Sequence, residues 1–204
     1  MFTGIIETIG VIRHIEKDRG NIHFTIESGI SHELKIDQSV AHDGVCLTVV
    51  EVKDGTHRVT AIGETLEKSS LGHWAIGTLV NLERCMAPTG RFDGHIVQGH
   101  VDTTGLVVKV EETNGSWRYY FSHAVSTDFI TVKKGSITIN GVSLTVVDSS
   151  EEGFSVALIP YTYEHTNFRN FSPGDTVNLE FDIVGKYVAE MMRRGINRQS
   201  AIGN

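Results

Sequence analysis

The stretch Gly44–Val50, GVCLTVV, returns at Gly141–Val147 as GVSLTVV, and Cys46 against Ser143 is the one difference. Self-similarity at a fixed offset marks a repeated architectural unit, so it constrains the fold before composition is consulted. The match spreads along the chain. GIIETIGVI from Gly4 answers GHVDTTGLV from Gly99, pairing both glycines, Thr8 with Thr103, and acid with acid at Glu7 and Asp102. TLVNLE ending at Glu83 answers DTVNLE ending at Glu180, 97 residues on. Between these, VTAIGETLEKSSLG lies over VALIPYTYEHTNFR, with Thr65 on Thr162 and Glu67 on Glu164. Matches in one order at a nearly constant offset mean a duplication, joined near CMAPTGRFDGH.

Each half reads as β. Val45–Val52, His57–Ile62 and Leu79–Leu82 are short, rich in Val, Ile, Leu and Thr, and bounded by Gly, Asn and Asp. Turn signals at roughly ten-residue intervals point to a closed barrel or sandwich, and closure removes aggregation-prone edges. The expected class is all-β: two homologous six-stranded Greek-key barrels in tandem. Short helical turns are expected at SSLGHW and TNFRNF. The symmetry ends after Glu180, where Ile183, Val184, Tyr187, Val188, Met191 and Met192 fall at helical spacing before Gly195. That helix either packs on its own barrel or pairs with copies of itself. The expected division is 1–95, 96–182 and a helix with its tail over 183–204.

Composition excludes several functions. The balance of 18 Lys+Arg against 25 Asp+Glu argues against nucleic acid or an anionic membrane as partner. No apolar run is long enough to span a bilayer, and MFTGIIETIG lacks the basic start and apolar core of a signal peptide. The cytoplasm is the expected location. Cys46 and Cys85 form no Cys-x-x-Cys, and the ten histidines have no ligand spacing. No metal or other cofactor is expected.

MFTGI, GVCLTV, GRFDGHIVQGHVD and GSITINGVSLTV together resemble the riboflavin synthase family, in register from Met1 to about Arg194. The resemblance implies a transferase that dismutates two molecules of 6,7-dimethyl-8-ribityllumazine by four-carbon transfer. It implies a homotrimer held by the C-terminal helix, with the site between one subunit's first barrel and its neighbour's second. It leaves association with lumazine synthase open. Asp43 departs from a position where many members carry Asn, which Asn140 keeps; a turn role is expected for it. The alternative is a lumazine- or flavin-binding paralogue without catalysis, because fold does not dictate function.

Donor and acceptor molecules cannot be told apart by identical half-sites, so the differing repeat letters are the candidate chemistry. Cys46 and Ser143 differ, and Thr48 and Thr145 share their strand face. His100 has Ile5 as its repeat partner, so one half carries a titratable ring for proton transfer and the other an aliphatic chain. The family pattern aims Lys134 at the ribityl chain or a ring oxygen and closes Phe2 over the site; Asp182, just after the last shared strand and opposite Cys85 in the repeat, is expected to bind ribityl hydroxyls or to orient a partner across the interface. The substrate-binding segments implied are Gly4, Ile5 and Ile6; Cys46, Leu47 and Thr48; and Ile62, Gly63, Glu64, Thr65, Leu66 and Glu67 in the first barrel. Their counterparts in the second are Gly99, His100 and Val101; Ser143, Leu144 and Thr145; and Ile159, Pro160, Tyr161, Thr162, Tyr163 and Glu164.

Overall fold

A computed structural model describes residues 1–202, with side chains followed as far as Gly195. The last two positions of the expected tail lie outside them. The first half holds β1 (Thr8–Asp18), β2 (Asn21–Glu27), β3 (Ser39–His42), β4 (Val45–Lys53), β5 (Thr56–Ala61), α1 (Gly63–Lys68) and β6 (Leu79–Arg84). The second repeats the series as β7 (Thr103–Thr113), β8 (Ser116–His123), β9 (Ser136–Ile139), β10 (Val142–Ser149), β11 (Gly153–Leu158), α2 (Pro160–His165) and β12 (Thr176–Phe181). α3 (Ile183–Ile202) follows. Each set of strands closes into an antiparallel barrel with the order β1-β2-β5-β4-β3-β6 and the same cyclic order in the second half. The bulges repeat too, between Ile12 and His14 and between Val49 and Glu51, then between Val107 and Lys109 and between Val146 and Asp148. The expected turns SSLGHW and TNFRNF contain 3-10 helices at Ser70–His73 and Asn167–Asn170, each preceded by an α-helical turn the sequence reading did not separate. No helix of the described residues is long and apolar enough to cross a membrane.

Alternation decides which face of β4 and β10 meets solvent. Val45, Leu47 and Val49 fill the first core, and Val142, Leu144 and Val146 the second. Cys46, Thr48, Ser143 and Thr145 therefore point outward. These four side chains stand on the outer walls of the barrels.

The barrels meet about a pseudo-dyad at two tight hairpins. Asp43-Gly44 and Asn140-Gly141 have φ of 46° and 79°, and 45° and 81°, the two-residue turn that Asx-Gly favours. Asn81 Nδ2 donates to Asn140 O at 2.9 Å, and Asn178 Nδ2 returns the bond to Asp43 O at 2.9 Å. Asp43 Oδ1 accepts from Asn81 N at 2.8 Å and from Asn167 Nδ2 at 2.9 Å. Asp43 is thus the expected turn residue, and also part of the seam.

That carboxyl is buried, and burial pushes its pKa up to about 8 against the help of its two donors. A raised carboxyl gives stability that is present near pH 4 and is lost as pH climbs towards 8. The first core also holds His42 and His57, whose Nε2 atoms lie 2.8 Å apart; Nδ1 of His42 lies 3.1 Å from the carbonyl of Val40, which can only accept. Burial pushes both rings down, His57 to about 4, so their contribution is lost as pH falls below 6.5. Asp43→Asn, which copies Asn140, is expected to leave stability at pH 4 nearly unchanged and to raise it progressively above that, by about 2 kcal/mol or more at pH 8. Denaturant titrations at the two pH values check this; an equal shift at both would refute the burial argument.

Candidate functional site

Just ahead of β1 and β7 the chain makes a detour. The segment leading into β1 crosses to the second barrel, where Gly4 O accepts from Ser143 N at 2.8 Å. The segment leading into β7 crosses the other way, and Gly99 O accepts from Cys46 N at 2.8 Å. The two segments pair with each other through Phe2 and Val97, whose N–H···O bonds measure 2.8 and 3.1 Å. Gly4 and Gly99 sit at φ of 79° and 78°, and a Cβ on either would stand 2.5 or 2.6 Å from the Cβ of Ser143 or Cys46. Only glycine lets the backbone come that close. Buried carboxylates hold both detours: Glu83 accepts from Thr3 N and Gly4 N, and Glu180 from Gln98 N, Gly99 N and His100 N. Burial raises both carboxyls against these donors, Glu180 to about 7.

The crossing corrects the expected grouping. Gly99, His100 and Val101 belong with Cys46, while Gly4 belongs with Ser143. On the first barrel they line a cavity of about 210 Å³ with Val45, Cys46, Glu64, Thr65, Lys68 and Ser69. Lys68 and Ser69 were not expected; Lys68 is the last residue of α1 and Ser69 its C-cap. Burial raises the Cys46 thiol's pKa, and a hydrogen bond to Ser39 opposes it. Thr48 stands opposite Ser39 on the same outer face.

On the second barrel the residue the sequence reading missed is His95. Its Nδ1 lies 2.6 Å from Ser143 Oγ and its Nε2 3.1 Å from Thr138 Oγ1, while its N–H donates to Thr3 O at 3.1 Å. Gly94 makes room, since a Cβ there would meet Ser143 Cβ at 3.1 Å and Thr3 O at 1.9 Å. Burial lowers the pKa of the ring, opposed by the charge of Asp182. A neutral imidazole between two hydroxyls can accept from one and donate to the other, so Ser143 has a base beside it. Among the described residues no ring is hydrogen-bonded to Cys46 in this way; His100 shares its cavity. Ile5, Ile159 and Tyr161 are exposed apolar residues, and so is Ile62 at the start of α1.

Several expected contacts are redirected by packing. Leu47 and Leu144 face the barrel cores, so only their backbones are open to a ligand. Leu66 packs on the first core. Tyr163 stacks on Trp117 with centroids 3.8 Å apart and rings 1° from parallel, which ties α2 to β8. Phe2 is 0% exposed, packed with Ala41 and Val97 beneath Gly99, so it anchors the crossing and does not cap a pocket. Lys134 is an exposed left-handed turn residue at φ 67° whose N–H donates to Val146 O. It precedes Ser136, the partner of Thr145, and so stands beyond the end of the ladder that holds Ser143. Asp182 Oδ1 accepts from Val184 N at 3.0 Å and opens α3. Ile62 and Ile159 cap α1 and α2, accepting from Leu66 N and Tyr163 N. Gly63 and Glu67 lie in α1, and Pro160, Thr162 and Glu164 in α2. Ile6 packs on the second core.

Two closed barrels with crossed lead-in segments, each offering polar groups on its outer wall, make a tandem duplication with one candidate site in each half. The chain matches the lumazine binding domain family twice, over residues 3–85 and 98–182, and it belongs to that family. Curated relatives named riboflavin synthase include that of Actinobacillus pleuropneumoniae, 41% identical over 193 residues, covering 94% of this chain and 90% of the relative. That of Bacillus subtilis (strain 168) is 38% identical over 195 residues, covering 95% and 91%. That of Mycobacterium tuberculosis (strain ATCC 25618 / H37Rv) is 41% identical over 199 residues, covering 95% and 98%. Among solved structures, LumP complexed with 6,7-dimethyl-8-(1'-D-ribityl) lumazine superposes with a TM-score of 0.81 at 21% identity, covering 89% of this chain and 99% of that one. LumP complexed with riboflavin gives 0.79 at 22%, covering 88% and 98%. At that identity the likeness is one of fold.

Proposed function

We propose that the chain is a riboflavin synthase, a transferase that converts two molecules of 6,7-dimethyl-8-ribityllumazine into riboflavin and 5-amino-6-(D-ribitylamino)uracil in the last step of riboflavin biosynthesis. The observation that carries the reading is the unequal chemistry of two equivalent walls. Ser143 has the His95 ring within hydrogen-bonding range, itself held by Thr138 on its other side, whereas Cys46 shares its cavity with His100. A reaction between two identical molecules needs such a difference to make one the donor and the other the acceptor.

The C7 methyl of the lumazine is acidic because the ring delocalises the carbanion, so a modest base suffices to deprotonate it. The second lumazine must take a nucleophile at C7. We assign the Ser143–His95 pair to that addition, with the imidazole taking the proton from the hydroxyl or from a water it holds. We assign His100 to proton transfer at the methyl group. Holding two rings face to face makes their encounter intramolecular, worth about 7 kcal/mol or more when alignment is good. Lysine, carboxylate and hydroxyl groups near each wall, such as Lys68, Glu64 and Thr65, would meet the ribityl chain. No cofactor enters the scheme.

We place the reaction between the first barrel of one copy and the second of its neighbour in a cytoplasmic homotrimer; association with lumazine synthase belongs to the same proposal. α3 supports the oligomer. Val184, Tyr187, Val188, Met191 and Met192 are exposed, Met191 at 72%, whereas Glu190 pairs with Arg193 and Arg194 on the polar side. A chain ending at Asp182 is expected to sediment as a monomer and to lose turnover; a persistent, fully active trimer would remove the role given to α3. The function itself is tested by incubating purified protein with 6,7-dimethyl-8-ribityllumazine alone. Riboflavin appearing as lumazine disappears, in a one-to-two ratio, is the expected result. Tight binding without turnover would select the carrier instead.

A further inference from the structure

We propose that Glu83 and Glu180 are positioning residues for the half-site on the opposite barrel. Each gathers the backbone N–H groups of one crossing segment and so fixes its glycine carbonyl over a strand of the other barrel. Glu83, on β6, sets Gly4 over Ser143. Glu180, on β12, sets Gly99 and His100 over Cys46.

The argument starts from barrel closure. β6 is the neighbour of β1 and β12 the neighbour of β7, so the last strand of each barrel lies beside the point where the lead-in segment departs. A carboxylate there meets a turn whose N–H groups converge. Glu83 Oε1 accepts from Thr3 N at 2.6 Å and Thr3 Oγ1 at 2.9 Å, and its Oε2 from Gly4 N at 3.0 Å. Glu180 Oε1 accepts from Gln98 N at 2.6 Å, and its Oε2 from Gly99 N at 2.9 Å and His100 N at 3.0 Å. In the ionised form, which for Glu180 dominates above about pH 7, the acceptor makes these bonds stronger than neutral ones. Both carboxylates are buried, at 5% and 3% exposure, and among the described residues the hydrogen bonds they accept all come from these two segments.

The same glycines then spend their carbonyls on the far barrel, at Ser143 N and Cys46 N, each 2.8 Å away. A peptide gripped at its N–H by one barrel and at its C=O by the other is fixed from both sides. That crossing predicts a crossed phenotype. Removing the carboxylate from the second barrel should loosen the wall of the first, and the reverse. A carboxylate that only stabilised its own barrel would show no such pattern.

Amide hydrogen exchange reads this directly. The half-sites are those of the function proposed above, but the experiment needs no turnover, so absence of riboflavin formation in the wild type would overturn that function and leave this result standing. In Glu180→Gln, exchange at Cys46 N–H is expected to accelerate about 10-fold, the size of one lost charge-assisted hydrogen bond, with Ser143 N–H unchanged. In Glu83→Gln the pattern reverses. Glu180→Asp and Glu83→Asp, which keep the charge on a shorter arm, should show the same selectivity at smaller amplitude and serve where the glutamine variants do not fold. Equal acceleration at both amides, or acceleration confined to the variant's own barrel, would overturn the proposal.

Discussion

Replacing His95 with glutamine is expected to lower kcat for lumazine turnover by about 10²-fold or more while leaving the affinity for the first lumazine within a factor of about three. Glutamine can still bond to both hydroxyls, so Ser143 and Thr138 keep a partner. What it cannot do is take a proton. The imidazole sits 2.6 Å from Ser143 Oγ, and burial holds its pKa low, which favours the neutral ring that acts as a base near pH 7. The wild-type profile of kcat against pH should therefore fall on the acid side as the ring protonates, and the variant should lose that limb. Steady-state rates across pH, with lumazine affinity from equilibrium fluorescence, decide it. A variant within threefold of wild type at pH 7 would take His95 out of the chemistry and leave it a scaffold for Ser143.

A single methyl group added at the seam should cost as much as truncating a core side chain. In Gly44→Ala the new Cβ stands 2.7 Å from Gly141 N at a backbone φ of 79°, where nothing but backbone can yield. The hindered conformation and the steric conflict together are expected to destabilise the protein by about 3 kcal/mol or more. Gly55 supplies the control. It has φ 75° in the β4–β5 turn with nothing within 4 Å of its Cβ, so Gly55→Ala should cost only about 1 kcal/mol. Denaturant unfolding of the two variants isolates the inter-barrel approach as their difference. Equal losses would mean that the hairpins do not need to touch as closely as they do.

The repeat made the architecture legible, because strand runs, turn signals and the Asx-Gly hairpins are written as local patterns that recur, whereas the bulges show only in the strand pairing. The crossing was not legible. Nothing in GIIETIG or GHVDTTG states that each lead-in segment serves the other barrel, since the pairing of Gly4 with Ser143 is set by the dyad and not by neighbours in sequence. Period-two alternation along GVCLTVV does separate Leu47 from Cys46 and Thr48, and it marks Leu47 and Leu144 as core residues. His95 escaped for a different reason. The comparison of halves found chemistry where letters differ, and the offset of 95 that sets Gly4 against Gly99 carries His95 ahead of Met1, with nothing to compare. The family resemblance made Phe2 a lid, and its burial was not legible because it depends on Val97, a contact between segments that only the fold brings together.

Because each barrel's wall is finished by a strip of the other half, one repeat alone is an incomplete object. A free copy of the first repeat would have an empty berth beside Cys46 and a loose lead-in with nowhere to lie. Two free copies could satisfy both needs by trading strips about a true twofold axis, the isologous arrangement that pairs of identical chains favour. Gene fusion would then replace a concentration-dependent encounter with a tether of fixed length, converting dimerisation into folding. It would also release the two walls from identity, so that Cys46 and Ser143 could drift apart without either strip losing its place.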